Sequence, residues 1–290
     1  MAVEELKKTL VLGHRNPDTD SICSAICYAG FKHQLTGENY EPCRAGNVNP
    51  ETQYVLDYFK LKAPRLVENV KTQVKDIEIR KTKGVSRGIS LKNAWGLMQE
   101  NNVVTLPCVT EEGLLEGVIT IGDITKSYMN LYDSSIISKA CTKYANILDT
   151  LEGSMVVGDS EAYFDRGKVL IAAANPDLME NYIEKHDLVI LGNRYESQLC
   201  AIEMEAGCII VCEGAGVSLT IRKLAQERGC AVITTPYDTY TTARLINQSM
   251  PISYFMTKEN IIEFSEEDYL DDIREIMASK RHRDFPILNK

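Results

Sequence analysis

Short apolar runs alternate with amphipathic stripes along most of this chain. The first run, Thr9–Leu12, predicts a strand, and the stripe behind it (Ile22, Ala25, Ile26, Ala29) predicts a helix. Tyr40–Arg44 and residues 65–67 predict two further strands. Between them Asn49 caps a helix with Pro50 in its first turn, and Val55, Leu56 and Phe59 share one face. This order opens a parallel α/β domain, and three strands with two helices leave at least one sheet edge and one face uncovered. The pattern then changes. Leu91, Ala94, Trp95 and Met98 mark a helix over Leu91–Glu100 and place Trp95, the single tryptophan, in the core. A strand at 104–109, a Glu-Glu-Gly turn, a strand at 114–120 and a helix opening at Ile121-Gly122-Asp123 follow. Farther on, strands at 168–172, 188–191, 208–212 and 231–234 alternate with helices at 177–184, 196–205, 218–227 and 239–246, which predicts a parallel sheet covered on both faces.

Composition narrows the class. A chain of 290 residues holds about two domains, or several small ones. It is 44% apolar and 25% charged, as soluble globular proteins are. No apolar run approaches the roughly 18 residues that span a bilayer, and no signal-peptide layout opens the chain, so a cytoplasmic protein without membrane contact is expected. The nine cysteines are scattered, with Cys23, Cys27, Cys208 and Cys212 in apolar runs and no Cys-x-x-Cys pair, and they read as reduced core residues. The net charge of −9, with no basic cluster longer than Lys280-Arg281-His282-Arg283, argues against nucleic acid as a partner.

Chemistry concentrates in residues 13–21, Gly-His-Arg-Asn-Pro-Asp-Thr-Asp-Ser, between the first strand and first helix. His14, Asp18 and Asp20 crowd a loop of the kind where α/β sheets bind ligands. Imidazole with carboxylates suits Mn, Fe, Co or Mg, and one ion could share both aspartates or two ions divide them. The same residue types also make turns and helix caps. A second strand-to-helix loop, residues 212–218, lacks the glycine spacing of a nucleotide fingerprint and reads as a plain helix start.

The end of the chain repeats its second segment. At an offset of 179 residues Leu91 falls on Leu270, Leu97 on Ile276, Met98 on Met277, Leu106 on Phe285 and Pro107 on Pro286. The counterparts of Thr120 and Asp123 would lie beyond Lys290, so the second repeat is expected to stop in mid-module.

The repeats resemble CBS domains, which pair and bind adenine nucleotides in the clefts between them. The run Gly117-Val118-Ile119-Thr120-Ile121-Gly122-Asp123 carries the resemblance. It implies phosphate contact at Thr120 and ribose contact at Asp123, although both residues also suit a helix cap. Arg281 and His282 fall in the loop that faces bound nucleotide in such modules, opposite Asn101 and Asn102 of the first repeat; a solvated basic loop is the alternative for Arg281. Between the repeats, the strand-helix order and the run 192–198 (Gly-Asn-Arg-Tyr-Glu-Ser-Gln) resemble the DRTGG domain. The opening resembles the DHH phosphoesterase superfamily, whose first metal motif is His-x-x-x-Asp-x-Asp, and within it the family II inorganic pyrophosphatases.

Together these resemblances imply an α/β fold with four parts: the N-terminal part of a DHH catalytic domain (1–69), CBS repeat 1 (70–132), a DRTGG-like domain (133–249) and a truncated CBS repeat 2 (250–290). The implied function is metal-dependent hydrolysis of pyrophosphate to two phosphates, regulated by AMP, ADP, ATP or diadenosine polyphosphates. The implied metals are Mn2+ or Co2+, with Mg2+ in the substrate complex. His14 and Asp18 would ligate one ion and Asp20 the other, and the repeats would assemble a homodimer. The bridging Asp, the Asp-His-His motif and the substrate-clamping residues of that family are not in this chain, which has only His14, His33, His186 and His282. The chain is therefore expected to be inactive by itself. The alternatives are an adenine-nucleotide-binding regulatory module with an incomplete metal site, or a DHH-type phosphodiesterase.

Overall fold

A computed structural model describes residues 8–129, 133–280 and 284–288. Two compact units emerge. One holds the chain up to Ile77 together with Glu267–Lys280; the other holds Glu78–Glu266 and residues 284–288. The fold is mixed α/β, and no described helix is long and apolar enough to cross a membrane.

In the first unit β1 (Thr9–Leu12), α1 (Thr19–Thr36), β2 (Tyr40–Arg44), α2 (Pro50–Tyr58) and β3 (Arg65–Leu66) form a three-stranded parallel sheet in the order β1-β2-β3. Ile22, Ala25 and Ala29 bury the inner stripe of α1, and Asn49 caps α2 by accepting the Thr52 amide at 2.7 Å. Two expectations fail here. Phe59 is exposed, because it follows the last turn of α2, and Cys27 is exposed on the outer face of α1.

The second unit begins with α3 (Leu91–Glu100), β4 (Thr105–Val109), β5 (Leu115–Thr120) and α4 (Ile121–Met129). Leu91, Ala94 and Met98 are buried, but Trp95 is 43% exposed, which corrects its placement in the core: it sits at the edge of the buried stripe of α3. After α5 (Ile136–Lys139), β6 (Thr142–Lys143), α6 (Tyr144–Thr150), β7 (Ser154–Val157), β8 (Tyr163–Phe164), β9 (Val169–Ile171) and α7 (Pro176–Met179) come β10 (Leu188–Leu191), α8 (Tyr195–Glu203), β11 (Cys208–Val211), α9 (Leu219–Arg228), β12 (Ala231–Thr234) and α10 (Thr239–Leu245). The large sheet runs β7-β12-β11-β10-β9 and is parallel except for β7, an antiparallel edge strand that the periodicity does not predict. Both faces are covered. Ile190, Ile210 and Ile233 share a core with Leu91, Met98 and Ile119, while Val189, Ile209 and Val232 pack with Ala201, Ile202, Ile221 and Ala225. The helix predicted over 177–184 is only the four-residue α7. Beyond it Asn181 and Tyr182 bond three residues back, to Leu178 and Met179, and the turn tightens and stops.

The internal repeat recurs as matched hydrogen bonds. Val85 N–H donates to Pro107 O at 2.9 Å and Phe264 N–H to Pro286 O at 3.0 Å, and both donor and acceptor are 179 residues apart. The segment leading into each repeat bonds to the helix of the other. Leu91 N–H donates to Met250 O and Ile252 N–H to Ile89 O, each at 2.9 Å. Correspondingly, Leu270, the first residue of α11 (Leu270–Lys280), donates to Thr72 O and Val74 N–H to Asp268 O, each at 3.0 Å. Residues 250–257, numbered with the second repeat, thus extend the sheet of the first: Thr257 and Val118 exchange bonds of 2.9 and 3.0 Å. Gly117 is required there, since a Cβ would lie 2.8 Å from Thr257 O.

Candidate metal loop and nucleotide site

The loop after β1 is shaped by two glycines. A Cβ on Gly13 would collide with Ser21 Oγ and lie 3.0 Å from Ser21 Cβ; a Cβ on Gly46 would collide with Arg15 O and lie 2.8 Å from Pro17 Cδ. The loop is thereby pressed onto the start of α1 and the turn after β2. Asp18 is the N-cap of α1, and its Oδ1 accepts the Ser21 amide at 2.9 Å. His14 Nε2 lies 3.3 Å from the same oxygen, so the structure brings His14 and Asp18 together at the surface, with side chains 58% and 60% exposed. The Ser21 amide, ahead of the opposing desolvation and the His14 charge, holds the Asp18 carboxyl below its ordinary value. Asp18 therefore stays ionised at neutral pH, and its contribution to the cap is lost only as pH falls through that lowered value. Asp20 stands in the first turn of α1, where Ser24 Oγ donates to it at 3.4 Å.

Among the described residues no group of three or more His, Cys, Asp or Glu side chains gathers for a metal ion. In kind, the His14 nitrogen and Asp18 oxygen fit a divalent cation such as Mn2+ or Co2+. The Ser21 hydroxyl, packed against Gly13, is buried and has no hydrogen-bond partner. His14 and Asp18 fit a cation as one part of its ligand set. Sequence reasoning missed Ser21, because burial and bonding of a hydroxyl are properties of the folded loop.

Gly13→Ala is expected to cost about 1–3 kcal/mol, the usual range for overpacking. In urea unfolding Ser21→Ala should recover part of that loss in the double variant, because it removes the nearer of the two colliding atoms; simple additivity would refute the contact.

The first repeat gathers four candidate nucleotide residues at one end of β4 and β5. Thr120 and Asp123 form a reciprocal cap on α4. The Thr120 amide and hydroxyl donate to Asp123 Oδ2 at 3.0 and 2.7 Å, and the Asp123 amide donates to Thr120 Oγ1 at 3.2 Å. Asn101 caps the end of α3, with its side-chain amide on Leu97 O at 2.8 Å. Asn102 turns the chain with φ of 50°, its carbonyl accepting from Arg80, a cation that the sequence reading passed over. Ile121 N–H donates to Val104 O at 3.0 Å, which ties this turn to the start of α4. Arg281 and His282 lie outside the described residues. A cavity of about 450 Å3 between α4 and α10, lined by Tyr128, Tyr240 and Arg244 among others, takes in none of the four. In the loop at 212–218, the Glu213 and Gly214 amides are bonded to Tyr237 O and Thr235 O and Ser218 caps α9, a plain helix start.

Residues 74–130 match the CBS domain family and residues 146–249 the DRTGG domain family. A cobalt-dependent inorganic pyrophosphatase of Clostridium perfringens is 38% identical over 280 residues, covering 97% of this chain and 51% of that protein. A probable manganese-dependent inorganic pyrophosphatase of Thermotoga maritima is 29% identical over 282 residues, again with 97% and 51% coverage. The manganese-dependent enzyme of Bacillus subtilis is 57% identical over 72 residues. The chain spans about half the length of the first two relatives. Among solved structures, the CBS and DRTGG domains of the regulatory region of Clostridium perfringens pyrophosphatase, complexed with the activator diadenosine tetraphosphate, align with a TM-score of 0.71 at 34% identity. That alignment covers 76% of this chain and 96% of theirs. The chain belongs to the family of inorganic pyrophosphatases whose regulatory region is built from CBS and DRTGG domains.

Proposed function

We propose that this chain supplies the regulatory region and the first metal motif of a nucleotide-regulated, manganese- or cobalt-dependent inorganic pyrophosphatase. The alignment with a regulatory region that binds diadenosine tetraphosphate carries this reading, because it runs through both kinds of regulatory domain. In this reading His14 and Asp18, at the cap of α1, hold one cation and Asp20 contributes to a second, in a DHH-type domain whose other ligands are not in this chain. Such cations, with Mg2+ in the substrate complex, supply an acidified water and neutralise phosphate charge. Thr120, Asp123, Asn101 and Asn102, with Arg281 and His282 of the second repeat, hold an adenine nucleotide such as AMP, ADP, ATP or a diadenosine polyphosphate. The protein acts as a cytoplasmic homodimer joined through its CBS repeats.

Three ligands do not complete two octahedral sites. The purified chain in Mn2+ is therefore expected to release no orthophosphate from pyrophosphate above a metal-only blank. Turnover that disappears in Asp18→Ala would contradict the claim that the ligand set of this chain is incomplete. A second reading, a nucleotide-binding module with a vestigial metal motif, is favoured by the separation of Asp20 from the His14–Asp18 pair. Nucleotide binding with no Mn2+ binding would select it.

A further inference from the structure

The second unit carries a cavity that neither the metal loop nor the candidate nucleotide residues use. It measures about 540 Å3 and lies where β7 ends and β12 begins, at one end of the large sheet. Small-molecule sites span roughly 300–1,000 Å3. The local chain builds it. The Tyr144 and Ala145 amides donate to Ala162 O at 3.0 Å and Ser160 O at 2.8 Å, which folds the loop after β7 onto the start of α6. Gly229 ends α9 with φ of 68°, and the Cys230 amide donates back to Ala225 O at 2.9 Å, so the chain turns at once into β12. A Cβ on Gly229 would meet nothing within 4 Å, and Ala225 and Ala231 bring only methyl groups to the lining.

Tyr144 sets this cavity apart from a surface groove. It is 7% exposed and shares a core with Ile147, Phe164 and Leu188, yet its hydroxyl bonds to no described residue. A buried tyrosine hydroxyl usually has a partner. This one is not sealed in: among the described residues the sealed, unbonded side-chain atoms are Ser21 Oγ and Thr150 Oγ1. The Tyr144 hydroxyl therefore meets solvent at the cavity that Tyr144 lines. Burial raises its pKa, so it keeps its proton and can both donate and accept. The surroundings disfavour an anion. Asp159 lines the cavity, no lysine or arginine does, and α9 ends there with the negative end of its dipole.

We propose that this cavity binds a small uncharged molecule, an apolar body of ring size with one polar group that takes the Tyr144 hydroxyl as its hydrogen-bond partner. Val156, Val157 and the alanines supply apolar contact, and Tyr144 fixes the orientation. A phosphate-bearing ligand finds no cation here, so the site is separate from the nucleotide residues at Thr120 and Asp123. It depends on neither the cation reading nor the nucleotide reading.

The test titrates the 290-residue chain with benzamide and indole as uncharged probes and benzoate as the anionic counterpart, read by saturation-transfer difference NMR. Wild type is expected to bind at least one uncharged probe saturably and benzoate at least tenfold more weakly. Tyr144→Phe should weaken the uncharged probe about twofold to tenfold, the equivalent of one neutral hydrogen bond. It should leave the urea midpoint unchanged or higher, because the hydroxyl has no protein partner to lose. Ala162 is exposed at the rim, so Ala162→Trp fills the cavity from outside and should abolish binding without unfolding the chain. AMP should not displace the probe. A folded wild-type chain that binds neither benzamide nor indole would overturn the proposal. So would benzoate binding as tightly as benzamide, or probe affinity unchanged in both Tyr144→Phe and Ala162→Trp. A lower urea midpoint in Tyr144→Phe would also overturn it, since the hydroxyl would then already be satisfied within the protein.

Discussion

Asp123→Ala is expected to weaken adenine-nucleotide binding by about tenfold to a hundredfold, the equivalent of the 1.5–3 kcal/mol assigned to hydrogen bonds on a charged group. The carboxylate of Asp123 has one oxygen committed to the Thr120 amide and hydroxyl, and its Oδ1 accepts no hydrogen bond among the described residues. In the proposed nucleotide site that oxygen is the one left to accept from ribose hydroxyls. Asp123 also completes the cap on α4, so the alanine variant should lose about 1 kcal/mol of stability as well. The two effects separate in Asp123→Asn, which keeps an acceptor for the cap while losing the charge. Its urea midpoint should stay near wild type while its affinity falls nearly as far as that of alanine. If both variants bind AMP as wild type does, Thr120 and Asp123 are a helix cap and nothing more.

Asp187→Ala should produce the largest loss of stability in the chain. Asp187 is 1% exposed, and its two carboxylate oxygens accept the Lys168 amide at 2.9 Å and the Glu184 amide at 2.8 Å, with Lys168 Nζ at 3.9 Å. Its own carbonyl takes the Gly207 and Cys208 amides, so one residue ties together the starts of β9, β10 and β11. Two glycines close on the preceding residue: a Cβ on Gly167, which has φ of 87°, would collide with His186 O, and one on Gly207 would lie 2.9 Å from it. Alanine at 187 leaves two part-buried amides unpaired, while Lys168 keeps the Glu184 carboxylate at 2.9 Å, at a cost of about 2–5 kcal/mol. Urea unfolding followed by circular dichroism measures it; a loss below about 1 kcal/mol would show that solvent satisfies those amides and that the knot is ornamental.

Elements carried by local pattern were legible in the sequence. Asn49 and Pro50 mark the start of α2, and Leu188–Leu191 reads as a fully buried strand because both of its faces are covered. The repeat was legible too, since Pro107 and Pro286 occupy the same hydrogen-bonded position. The exchange of leading segments was not. Thr72 and Met250 give only backbone carbonyls to the opposite helix, and a backbone bond leaves no mark on side-chain pattern. The edge strand β7 was missed because Ser154–Val157 is a four-residue apolar run with no alternation to date its partner or direction. Trp95 deceived because helical spacing fixes a face only to within a residue's width, and a large ring at the stripe's margin stays partly in water. In the candidate metal loop the pairing of His14 with Asp18 follows from a turn that ends in a helix cap, which the residue types announce. The orphaned hydroxyl of Ser21 depends on how closely Gly13 folds over it, which they do not.

The central claim, that this chain is the nucleotide-responsive part of a pyrophosphatase, is tested most directly by calorimetric titration of the metal-free chain with AMP and with diadenosine tetraphosphate. Saturable heat with at least one of them, lost in Asp123→Ala while the fold is retained, is the predicted result. A folded wild-type chain that gives no saturable heat with either nucleotide would contradict it.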